Sequence, residues 1–269
     1  MTATRQTDSE QQDNGSVLEV RRVPAEHFTV FTITRPKVRN ALSSEWWQEW
    51  TDAVTRFNAD DEMYVGILTG TGKAFSAGRD LKELAGLKPE QVAASGPTDE
   101  QRQLCSRSPK PFICAVNGVA AGAGVERALD CDIRLASSNA TFRLPEPRWG
   151  MVAATAVHLL PAAVGLGNAL YLLLSAEEID AATALRIGLV QEVVEQDNLM
   201  ERAETLARQI AALNPAAVSA TKQIATLHRR SISDEAVSRL ASLRSHDDNA
   251  TSVREASKFA SGRSTSDGK

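Results

Sequence analysis

Cysteine is scarce in this chain: three residues in 269, at Cys105, Cys114 and Cys131, with no CxxC pair. A disulfide framework or a thiolate zinc site needs more thiols at closer spacing, so neither is expected. Cys114 and Cys131 lie in apolar, strand-like runs, which predicts buried, reduced thiols and a cytoplasmic location. Basic excess is also missing. With 30 Lys and Arg against 34 Asp and Glu, the net charge is −4, and no basic face offers itself to a nucleic acid. No stretch is long and apolar enough to span a membrane, so no membrane partner is expected.

Several common fingerprints fail at specific residues. A dinucleotide GxGxxG would need glycine where Arg127 stands. Gly70-Thr71-Gly72-Lys73 is not a phosphate loop, because its first glycine is misplaced and Ala74 replaces Ser or Thr. Ser76 resembles a nucleophile elbow, but Ala74 stands where that motif needs glycine. His27, His158, His228 and His246 include no obvious base for such a serine. No ligand cluster for a metal is evident.

What remains is an ordinary globular composition, 42% hydrophobic and 24% charged, in a chain long enough for a well-buried core. Polar residues 1–16 read as a disordered tail without the apolar stretch of a signal peptide, and 261–269 as a frayed Ser/Gly-rich end. Phe28 to Thr34, Tyr64 to Thr69, Phe112 to Val116, Ile133 to Ala136 and Thr141 to Leu144 read as strands. Ser43 or Ser44 caps a helix with Trp46, Trp47, Trp50, Val54 and Phe57 on one face. Residues from Lys88 to Thr98 read as a mobile connection. Strand, loop and helix alternate through the first half, which predicts an α/β fold. After Val194 the pattern becomes helical: Leu199 to Leu213, Pro215 to His228, Asp234 to Arg244 and Thr251 to Ala260. The expected division is a core over 17–197 and a helical region over 198–260.

Two glutamates carry the chemistry. Glu126 follows the glycine-rich run Gly122-Ala123-Gly124, where a helix start would present free N–H groups and its positive end. Glu146 stands in Phe142-Arg143-Leu144-Pro145-Glu146, held between two prolines. Upstream, Ala74-Phe75-Ser76-Ala77-Gly78-Arg79-Asp80-Leu81 bends on small residues and exposes further N–H groups. Taken singly, each stretch is also what an ordinary turn, a first-turn acid or a surface carboxylate would look like. Together they supply proton-transferring carboxylates and N–H donors for a developing oxyanion.

In this order the segments resemble the enoyl-CoA hydratase/isomerase (crotonase) superfamily, over Val17 to Phe259. Arg35-Pro36-Lys37-Val38-Arg39-Asn40-Ala41-Leu42 belongs to the same resemblance. It implies an α/β fold, a crotonase-like spiral of ββα units, with C-terminal helices that mediate trimers, often paired into hexamers. It implies an acyl-CoA thioester substrate, with coenzyme A as part of that substrate and no separate cofactor. The oxyanion donors would be the N–H groups of Ala77 and Ala123. Arg39, Ala41, Ala74, Gly78, Arg79, Asp80, Leu81, Gly122 and Trp149 would contact substrate, although Trp149 could equally be core. With Glu126 and Glu146 both present, the implied reaction is hydration of a 2-enoyl-CoA. Isomerase, dehydratase, C–C hydrolase and non-catalytic acyl-CoA binder remain open beside it.

Three departures from the family pattern stand out. Ala123 replaces a usual glycine, which would strain the chain if positive φ were required there. Gly150-Met151-Val152-Ala153-Ala154-Thr155-Ala156 lacks the glycines usual after the second glutamate, so the acyl pocket has its own shape. Phe259 matches a family aromatic, but the usual basic residue is Gly262, and Arg263 is the candidate replacement.

Overall fold

The computed structural model describes residues 16–227, 235, 239 and 246–262. The expected disordered tails (bar Ser16, Ser261 and Gly262), Arg263 and most of the expected helix Asp234 to Arg244 lie outside the described residues. The strands are β1 (Leu18–Val23), β2 (Phe28–Ile33), β3 (Val65–Gly70), β4 (Ala74–Ser76) and β5 (Phe112–Val116). They continue as β6 (Val119–Ala121), β7 (Ile133–Ser137), β8 (Thr141–Arg143), β9 (Glu178–Asp180) and β10 (Glu192–Val194).

Two sheets result, one ordered β1-β2-β3-β5-β7-β10 and one ordered β4-β6-β8-β9. The pairs β3–β4, β5–β6 and β7–β8 each send their first strand to the larger sheet and their second to the smaller. That is the repeating unit of the spiral. Strands β4, β6 and β8 run parallel, so their C-terminal ends share one edge. Ala77, Gly122 and Leu144, the residues that follow them, therefore converge there.

The α-helix Ser44–Ala59 is capped by Ser43, whose hydroxyl accepts from the Trp46 N–H at 3.3 Å. It buries Trp46, Trp47, Trp50, Val54 and Phe57 against the larger sheet. Phe31 meets Trp50 edge-on at 5.3 Å and Phe57 at 5.6 Å, and Phe112 closes the cluster. On the other face, Phe28, Val30, Val65, Ile67, Ile113, Ala115 and Leu135 pack against Leu199, Ala203 and Ala207 of helix Leu199–Ala211. All three cysteines are buried and unpaired. Helix Pro215–Ala225 starts on Pro215, as its fixed φ favours, with Asn214 as cap. Its Lys222 reaches inward to pair with Asp132 at 2.6 Å and to donate to the carbonyls of Cys105 and Lys110.

Two stretches differ from the sequence reading. Lys88 to Thr98, expected as a loose connection, contains the helix Pro89–Ser95, started by proline and by the Gln91 side chain accepting from the Lys88 N–H at 2.9 Å. Leu84, Val92 and Ala256 form a small separate core that seats helix His246–Ala260 over this stretch. Ala74–Ser76, expected as part of a turn, is a short strand paired with β6. Its three residues are too few for periodicity to register.

Trp50→Ala should lower the free energy of unfolding by about 3–5 kcal/mol, as expected for a fully buried aromatic. Denaturant titration of the two proteins measures it, and a loss below about 1 kcal/mol would show that the cluster collapses to refill the space.

Candidate active site

Asn40 organises the first loop. It is fully buried, and Arg39 and Asn40 both take left-handed backbone, at φ 53° and 56°. The strain is offset by the Asn40 side chain, which accepts from the Arg35 N–H and donates to the carbonyls of Thr71 and Ala74. Asn117 supports the same turn, donating to Gly72 O and accepting from the Gly70 N–H. Ser76 is buried, donates to Asn40 O at 2.8 Å and accepts from the Gly78 N–H. Its hydroxyl is a structural tie in the loop.

This clamp corrects one expectation. The Ala77 N–H donates to Arg39 O at 2.8 Å and is not available as an oxyanion donor. The short parallel bridge between Leu42 and Arg79 explains the geometry. Leu42 donates to Gly78 O at 2.8 Å and Asp80 donates to Leu42 O at 3.1 Å. In a parallel pairing the opposed residue turns its own N–H to the far side, so the Arg79 N–H faces away from Leu42. The same loop approaches the glycine-rich helix start: a Cβ on Gly78 would lie 3.1 Å from the Ala123 nitrogen and 2.5 Å from Ala121 O.

Ala123 is the first residue of helix Ala123–Asp130 and carries no positive φ. Gly122 takes that conformation instead, at φ 52°. The alanine is therefore unstrained, and its N–H is one of the helix's first-turn donors. Gly122 has a second reason to lack a side chain, since a Cβ would meet Glu146 Oε1 at 2.7 Å.

The two glutamates are buried in contrasting surroundings. Glu126 Oε1 accepts from the N–H groups of Thr155 at 2.7 Å and Ala156 at 3.2 Å, at the start of helix Ala156–Val164. Those dipoles stabilise negative charge. Glu146 follows β8 and opens the turn Glu146–Trp149; its Oε2 is buried with no hydrogen-bond partner. Burial, with the nearby Glu126 carboxylate as second cause, pushes the Glu146 carboxyl up to about 8. The Thr155 hydroxyl is also buried without a partner.

Both carboxylates line a cavity of about 380 Å³. Ala77, Gly78, Arg79, Leu81, Gly122, Ala123 and Trp149 line it as well. Trp149 packs edge-on against Phe259 at 5.7 Å and serves as wall. Four expected contacts do not line it: Arg39, Ala41, Ala74 and Asp80. The Arg39 and Ala74 carbonyls are spent on the loop clamp, and Ala41 O accepts from Arg35. Asp80 caps helix Leu81–Ala85 and pairs with Arg35 at 3.0 Å. Sequence reasoning missed Trp47, Val92, Pro97 and Arg102, which also line the cavity, whereas Met151 and Val152 line it from the stretch expected to shape the acyl pocket. Val92, Pro97 and Arg102 come from the stretch expected to be loose or from its border, and no periodic signal marks them. Among the described residues, no group of His, Cys, Asp or Glu could hold a metal ion.

A sequence model of the enoyl-CoA hydratase/isomerase family matches residues 25–258. The chain is 41% identical over 198 residues to the short-chain-enoyl-CoA hydratase of Clostridium acetobutylicum, covering 72% of this chain and 76% of that one. It is 39% identical over 204 residues to the (E)-benzylidenesuccinyl-CoA hydratase of Thauera aromatica, covering 75% and 79%. The crystal structure of an enoyl-CoA hydratase/isomerase from Pseudoalteromonas atlantica T6c superposes with a TM-score of 0.79 at 30% identity, covering 92% of this chain and 98% of that one. Spiral, paired carboxylates and these likenesses agree: the chain belongs to the enoyl-CoA hydratase/isomerase (crotonase) family.

Proposed function

We propose that this protein is an enoyl-CoA hydratase, adding water reversibly to a 2-enoyl-CoA thioester to give a 3-hydroxyacyl-CoA. The observation that carries the reading is the unequal carboxylate pair in one cavity: Glu126 held by two N–H groups, Glu146 buried with an unpartnered oxygen. Environments that differ in this way divide base from acid.

The thioester oxygen would accept hydrogen bonds from the N–H groups of Ala123 and Arg79. Each such donor typically lowers the barrier by about 3 kcal/mol as the oxyanion forms. Glu126 takes a proton from water as the water oxygen bonds to C3. The double-bond electrons move onto the thioester oxygen, giving an enolate. Glu146, protonated beforehand, delivers its proton to C2 as the enolate collapses. The pair then re-equilibrates by passing one proton back from Glu126 to Glu146. The names of the two hydratase relatives favour this chemistry over isomerisation, and they span aliphatic and aromatic acyl groups. The exposed apolar residues Leu166, Leu170, Tyr171 and Leu174, on one helix, support assembly of the chain into a homotrimer or homohexamer. The buried, unpaired thiols suit a cytoplasmic location.

Glu126→Gln and Glu146→Gln should each slow hydration of crotonyl-CoA or a longer enoyl-CoA by ~10²–10⁴-fold, followed by loss of the conjugated thioester absorbance. Full activity in both variants would overturn the mechanism. Because Glu146 acts as the acid, the hydration rate should fall as pH rises through about 8. The same group bears on stability. Its carboxyl stays protonated in the fold where the unfolded chain has released the proton, so stability declines as pH rises from the ordinary carboxylate range to about 8. Glu146→Gln should therefore melt higher than the parent at pH 8, with the gap closing toward pH 4.5. Gly122→Ala should reduce kcat by roughly 100-fold, through displacement of Glu146, while the circular dichroism spectrum is retained. Sedimentation should give three or six times the chain mass; a monomer would refute the assembly.

A further inference from the structure

Thr155 carries a hydroxyl that the hydration steps leave unused. The residue is 1% exposed, and its Oγ1 has no hydrogen-bond partner. Its own N–H donates to Glu126 Oε1 at 2.7 Å. Threonines inside a helix commonly spend the hydroxyl on the preceding turn, as Thr51 does on Trp47 O at 2.7 Å and Thr55 on Thr51 O at 2.8 Å. Thr155 makes no such bond. Nor does its side chain cap the helix Ala156–Val164, because its backbone is helical, at φ −95° and ψ −38°, where a capping residue is extended. Among the described residues, Thr29, Thr141 and Thr155 have buried hydroxyls without a partner, and only Thr155 belongs to a backbone that bonds a site glutamate.

Covalent geometry sets the distance. A threonine Oγ1 lies no more than about 3.7 Å from its own nitrogen, so this one stands within about 6 Å of Glu126 Oε1. One ordered water, bonded to both groups, spans such a gap. Ala153 and Ala154 line the cavity and Thr155 does not, so the hydroxyl is screened from the substrate. The chemistry gives it a task. The two N–H groups on Oε1 can only donate, so they serve the carboxylate alone. A hydroxyl both donates and accepts. Through the same water it can donate toward the ionised carboxylate and accept once Glu126 has taken the proton from the attacking water. Thr155 itself gains and loses no proton in either state.

We infer that Thr155 is a positioning residue for hydration, whose hydroxyl holds an ordered water against the Glu126 carboxylate and keeps that base bonded in both of its protonation states. The inference rests on the hydratase reading of Glu126. Thr155→Val keeps the shape and the backbone donors and removes only the hydroxyl. It should lower kcat for crotonyl-CoA hydration by roughly tenfold, the loss of one hydrogen bond to a charged group, with KM within about twofold of the parent. Thr155→Ser retains the hydroxyl and should keep kcat within about threefold. An unchanged kcat in Thr155→Val would show an idle hydroxyl and overturn the assignment. So would equal losses in the two variants, which would trace to the methyl group, or a rise in KM alone, which would put the hydroxyl on the substrate.

A double-mutant cycle in thermal unfolding tests the same tie without turnover. The melting shifts of Thr155→Val and Glu126→Gln should fail to sum to that of the double variant, by roughly 2 °C or more. The matching cycle on Thr155→Ser, which keeps the hydroxyl, should close. If the parent hydrates no enoyl-CoA and the valine cycle alone stays open, the hydratase reading falls and the tie between Thr155 and Glu126 stands. Additive shifts in the valine cycle, or an equal mismatch in both cycles, would overturn the tie whatever the turnover.

Discussion

A satisfied carboxylate beside an unsatisfied one is the constraint on which this structure depends. Glu126 meets two N–H groups at a helix start, while Glu146 is buried with one oxygen unpartnered. Burying a polar group without a partner costs on the order of 1–3 kcal/mol, and a fold tolerates that where the group must remain reactive. Burial also keeps the second carboxyl protonated well above the ordinary range, so one member of the pair can give a proton while the other receives one. Two carboxylates in similar surroundings would lack that division.

The surrounding architecture delivers these groups to one place. Parallel strands β4, β6 and β8 end on a common edge, and each hands over one element: the loop with Gly78 and Arg79, the helix start at Ala123, and the turn at Glu146. Asn40 and Asn117 bind the carbonyls of Thr71, Gly72 and Ala74, in the turn and strand that lead into the first of these, and the Asn40 bonds let the left-handed Arg39 and Asn40 persist. Gly122 absorbs the positive φ that an alanine one position later would have resisted. The aromatic cluster around Trp50 and Phe112 lies in the core behind the larger sheet and gives the strands a rigid backing.

Much of this was legible before coordinates. Strand Phe112–Val116 and helix Ala123–Asp130 fall where apolar runs and the glycine punctuation indicated. The Ser43 cap and the one-sided tryptophans read directly from residue type and spacing. Less legible were the three-residue strands, whose pairing depends on neighbours distant in sequence. The helix Pro89–Ser95 hid in a composition rich in turn residues, because it is stabilised by Ala256 and Val253 from the far end of the chain.

The sequence by itself determined the family and the order of the segments and singled out both glutamates as candidates, because those depend on residue type at fixed spacing. Only the tertiary structure decided which amides stay available. Ala77 gives its N–H to Arg39, a pairing no local pattern announces, and the bridge between Leu42 and Arg79 turns the Arg79 N–H to the other side of the loop. It also decided that Asp80 caps a helix and that Arg102 enters the cavity wall. Hydrogen-bond ownership and cavity exposure belong to pairs of residues brought together by folding, and a linear reading sees one member of each pair at a time.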